Sequence, residues 1–86
     1  MNYTIEELEN EKHILLKKLL NKYDPYILKR LKAVIDAEQH FYRFKESYYR
    51  LENMNERAND YKILIKCNEK LYQNVEKVKW FIYVYS

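Results

Sequence analysis

A chain of 86 residues supports one small helical domain, 1–86, with 16 basic against 13 acidic side chains and a formal charge of +3. It contains no glycine and one proline, which excludes P-loops, dinucleotide-binding glycine turns and nucleophile elbows, and disfavours β-folds built on tight hairpins. Cys67 is the single cysteine, so no intrachain disulfide forms, and together with the absence of a basic leader this points to a reducing, cytoplasmic setting.

The fold class expected is all-α: a three-helix bundle or helical hairpin with a short N-terminal helix, two long helices and coiled-coil-like packing. Helices are expected at about 4–22, 25–53 and 60–85. The first opens at Thr4, with Glu7 three residues later in capping-box spacing. Ile5, Leu8, Leu15, Leu16, Leu19 and Leu20 lie along one face, and Lys12 interrupts them. Asp24 and Pro25 are an N-cap followed by a proline at the first helical position.

In the second helix Ile27, Val34, Phe41 and Tyr48 recur every seven residues, with Leu28, Ile35, Tyr42 and Tyr49 one position on. Leu31, Ala37, Phe44 and Leu51 fill between them, which predicts a wide buried face. The stripe loses phase in the polar run 52–60, where a turn is expected and Asn59 or Asp60 would cap the third helix. One continuous helix from Pro25 to about Tyr85 is the alternative.

The third helix carries Tyr61, Leu64, Asn68, Leu71, Val75, Val78, Ile82 and Tyr85 at alternating spacings of about three and four, the pattern of a coiled-coil seam. Phe81 lies beside that stripe, and Trp80, Tyr83 and Val84 outside it, so the closing segment is apolar all round and calls for a cover. Asn68 at a central seam position selects register, and with Leu71, Val75, Val78, Trp80, Phe81, Ile82, Tyr83 and Tyr85 it is a candidate protein interface, most simply of a homodimer. No apolar run approaches the roughly 20 residues of a membrane span.

Two further surfaces suggest partners. Tyr42, Tyr48 and Tyr49 alternate with Arg43 and Arg50, a combination that stacks on flat faces and binds charge. Residues 12–32 hold seven bases against Asp24. Among them Lys17, Lys18, Lys22, Lys29, Arg30 and Lys32 are candidate contacts for phosphates or an acidic partner.

Catalysis and metal binding have no such support. His13 follows Glu9, and His40 follows Asp36, at helical spacing, but no zinc or di-iron motif is present and Cys67 has no local base. The chain therefore reads as a non-enzymatic module without cofactor, a regulator or inhibitor of another protein. Its Lys, Asn, Ile and Tyr bias is that of AT-rich coding sequence, as in a phage, virus or mobile element. The alternative is a nucleic-acid-binding protein that uses the basic turn.

Overall fold

The computed structural model describes the backbone of residues 3–85 and the side chains of residues 3–77. Three helices follow one another: α1 (Ile5–Asn21), α2 (Pro25–Leu51) and α3 (Asn55–Tyr85). Each boundary has a local cause. The Thr4 hydroxyl accepts from the Glu7 amide at 3.2 Å, and the Asp24 carboxylate accepts from the Tyr26 amide at 2.8 Å, so each cap satisfies an amide that the first helical turn leaves unpaired.

The expected turn after α2 is present but lies earlier and is tighter than the polar run suggests, so α3 starts at Asn55 and not near residue 60. Asn53 adopts a left-handed conformation (φ 59°). The Asn53 amide donates to the Arg50 carbonyl at 3.1 Å, and the Met54 amide to the Tyr49 carbonyl at 2.8 Å. These two bonds form a Schellman motif, which normally takes glycine at the left-handed position. In a chain without glycine, asparagine is the residue that best tolerates it. The Met54 carbonyl then accepts from the Ala58 amide, so the next helix begins at once. Asn59 and Asp60 lie inside α3 and cap nothing.

α1 and α3 each pack chiefly on α2. α3 runs antiparallel to α2: Tyr49 meets Tyr61 near the turn, Gln39 meets Ile65 midway, and Lys32 pairs with Glu76 farther on. The core gathers Leu8, Leu15 and Leu19 of α1, Leu28, Leu31, Val34 and Ile35 of α2, and Val75 of α3. Burying a side chain such as Leu31, which is 0 % exposed, contributes about 1.5–3 kcal/mol.

Two expectations about faces are corrected here. Leu20 is 77 % exposed, because α1 turns only Leu8, Leu15 and Leu19 fully inward. Ala37, Phe44, Tyr48 and Leu51 also lie outside the core, on the side of α2 facing away from α3. No helix among the described residues is long and apolar enough to cross a membrane.

Candidate functional site

Lys12, which breaks the apolar stripe of α1, points inward to Glu38 of α2, with Nζ 3.0 Å from Oε1. Glu38 is 0 % exposed, and its Oε1 also accepts from the Asn68 amide at 3.1 Å. Asn68 in turn accepts from Lys12 Nζ at 3.3 Å and donates to Gln39 Oε1 at 3.3 Å, while Gln39 Nε2 donates to the Ile65 carbonyl at 3.0 Å. One polar layer thus joins all three helices. A buried charge is tolerated only when paired and hydrogen-bonded, so this layer admits few registers other than the one observed. Glu38 Oε2 is buried without a protein hydrogen-bond partner among the described residues.

Beyond this layer the bundle opens. α1 begins at Ile5, alongside Tyr42, where the Tyr42 hydroxyl donates to Glu9 Oε1 at 3.1 Å. α2 continues for nine residues past that point, and among the described residues no third helix covers its seam with the first turns of α3. The result is an open groove of about 510 Å³, lined by Phe41, Tyr42, Lys45 and Tyr49 of α2 and by Arg57, Asp60, Tyr61 and Leu64 of α3, with Ile5 and Glu9 at its α1 edge.

The rings of this groove hold one another. Tyr49 and Tyr61 stack with centroids 5.8 Å apart and planes 15° apart, and Tyr42 packs against Tyr61 at 5.9 Å. Arg57 lies 5.6 Å over the Tyr49 ring, and Lys45 lies 5.6 Å over Phe41. Such contacts fix flat apolar faces with cations at their rims, the composition of interface hot spots. Burial raises the Tyr42 phenol well above the ordinary tyrosine range, and the Glu38 charge and the hydrogen bond to Glu9 push it further in the same direction. The Tyr42 hydroxyl therefore stays a neutral donor.

The aromatic and basic candidates of α2 do not form one surface. Tyr42 and Tyr49 line the groove, and Tyr48 is 47 % exposed beside Tyr49. Arg43 lies on the other side of the α2–α3 seam, in a smaller groove of about 260 Å³ with Asp36, Gln39, His40 and Asn68. Arg50 is held by Glu46 and Asn59. Lys45 and Arg57 join the groove although neither stands out by type in the sequence. Their signal is helical spacing alone: Arg57, Tyr61 and Leu64 at i, i+4, i+7 share one face of α3, and Phe41, Lys45 and Tyr49 at i, i+4, i+8 share one face of α2.

The basic block is divided. Arg30 makes a two-pronged pair with Glu11, with Nη2 3.1 Å from Oε2, and lies over the Tyr3 ring; the hydrogen bonds it donates to Glu11 and, second, to the Tyr3 hydroxyl raise its pKa still further. Lys32 pairs with Glu76 and lies over Tyr72. Lys17, Lys18, Lys22 and Lys29 are exposed around the α1–α2 turn.

Of the seam candidates, Asn68 belongs to the polar layer, Val75 to the core, and Leu71 packs half-buried against it, so all three face this chain's own α1 and α2. Val78, Trp80, Phe81, Ile82, Tyr83 and Tyr85 lie outside the described side chains. His13, His40 and Cys67 are exposed, and no group of three metal-ligating side chains occurs among the described residues. No protein-family model matches the chain, and neither the curated proteins nor the solved structures contain a match to it.

Proposed function

We propose that this chain is a non-enzymatic binding module, a regulator or inhibitor, that docks another protein on the groove between Phe41, Tyr49 and Tyr61. The supporting observation is the mismatch in helix length: α1 reaches along α2 only as far as Tyr42, and beyond it Phe41, Tyr49 and Tyr61 stand half-buried, with Lys45 and Arg57 beside them, where a third helix would otherwise lie. The rings are pre-stacked, so a partner meets a face whose side-chain entropy is already spent. A photoreactive residue at position 49 should capture a protein partner that the same residue at position 29 does not, and Leu64→Asp should abolish the capture. Capture from position 29 alone would overturn the groove assignment.

A second reading is favoured by the exposure of Lys17, Lys18, Lys22 and Lys29 on one turn. It has the turn bind a nucleic-acid backbone, with affinity falling by orders of magnitude between about 50 and 200 mM salt. Flat salt dependence, or affinity unchanged in Lys18→Ala/Lys29→Ala, would end that reading.

A further inference from the structure

The α2 surface that points away from α3 carries Tyr26, Ala33, Ala37, Phe44, Tyr48 and Leu51, spaced 7, 4, 7, 4 and 3 residues apart. All six are exposed, Tyr26 by 83 %, Phe44 by 67 % and Leu51 by 84 %. Spacings that sum to eleven residues over three turns follow a nearly straight line along a helix, so these side chains form one apolar band about 37 Å long. The band lies on a different side of α2 from the groove proposed above, and it exposes large apolar side chains to water.

We infer that this band pairs with the same band of a second copy, antiparallel, about a two-fold axis between Glu38 and Gln39. That axis sets Tyr26 opposite the partner copy's Leu51 position and Ala33 opposite its Phe44 position, with the same contacts repeated by symmetry. A small residue then receives a large one on each side of the axis, which is how helix surfaces interdigitate. Charge fits the same axis. Asp36 and Arg43 lie between the band and the smaller α2–α3 groove, which both also line, and both are exposed and neither is ion-paired among the described residues. Antiparallel pairing brings each Asp36 to within about 3 Å, along the axis, of the level of the other copy's Arg43 position, giving two reciprocal ion pairs. A parallel arrangement would instead set Phe44 against Phe44 and carry the two Asp36–Arg43 rims to opposite sides of the seam, where neither ion pair forms.

A band one helix wide covers a few hundred Å² per copy, short of the roughly 800 Å² per partner of a standard interface, so the dimer is concentration-dependent. The two aromatic grooves would then lie toward opposite ends of the paired α2 helices, about 20 Å apart along their axis.

The full chain carrying Cys67→Ser provides the test. Ala33→Cys and Phe44→Cys chains, mixed and oxidised, should yield a covalent dimer. Neither should do so alone, because identical positions would be about 16 Å apart, beyond disulfide reach. Sedimentation of the Cys67→Ser chain should show a mass rising with concentration, and adding Phe44→Glu should hold it monomeric with an unchanged helical circular dichroism signal. Self-crosslinking of Ala33→Cys would replace the antiparallel assignment with a parallel one. A monomer up to roughly millimolar concentration, with no crosslink in the mixture, would overturn the proposal.

Discussion

The Asn68 amide donates to Glu38 Oε1 at 3.1 Å across the α2–α3 seam, while Lys12 reaches the same oxygen from α1 at 3.0 Å. Three residues that look unrelated in the sequence thus form one junction.

Asn68→Leu should lower the melting temperature. In a coiled-coil seam between chains, leucine at such a position stabilises. Here the amide serves Glu38 and Gln39 of its own chain, and removing it leaves buried acceptors short of donors at a cost of about 1–3 kcal/mol. Thermal unfolding by circular dichroism decides the matter, and a higher melting temperature would show that the junction does not form.

Lys12→Met should be more damaging, by about 3–5 kcal/mol, because it strands the Glu38 carboxylate in the interior. Adding Glu38→Leu to the same chain removes the stranded charge and should recover much of that loss. A double variant no more stable than Lys12→Met alone would mean that Lys12 acts through its aliphatic stem and not through its charge.

Asn53 tests the turn. Asn53→Gly should raise stability by about 1 kcal/mol or less, since glycine accepts a positive φ freely, and Asn53→Val should lower it by about 1–2 kcal/mol. Urea titration of the two variants provides the check, and equal midpoints would contradict the left-handed conformation.

The Tyr42 phenol predicts an alkaline effect of definite sign. Its folded pKa is raised, so below about pH 10 both folded and unfolded states keep the proton and stability is unaffected. Above that, the unfolded chain ionises while the folded one does not, and stability falls as pH rises. Tyr42→Phe lacks this component. The stability advantage of the unaltered chain over Tyr42→Phe, measured by denaturant titration from about pH 8 to about pH 11, should shrink with pH; a constant difference would remove the effect.

Much of the fold was legible because it depends on neighbours in sequence. Thr4 with Glu7, Asp24 with Pro25, and the loss of phase after Leu51 mark where helices start and stop. The start of α3 was misplaced by about five residues because Asn53, Asn55 and Asn59 all have the chemistry of a turn, and only the carbonyls of Tyr49 and Arg50 select Asn53. The groove was half legible. Tyr42 and Tyr49 stood out by type, but their meeting with Tyr61 depends on how α3 folds back, and the openness of the site depends on how far α1 extends.

Local sequence sets the class and the punctuation: no glycine, helical spacing of apolar residues, two well-formed caps and a break in the polar run. Which polar residues meet and which apolar faces stay open depends on how the helices pack. Lys12, Glu38 and Asn68 lie 26 and 30 residues apart along the chain, and helical periodicity sets only the side of each helix they occupy. Their contact follows from how α1 and α3 lie along α2, because a buried carboxylate must be paired wherever the apolar packing places it.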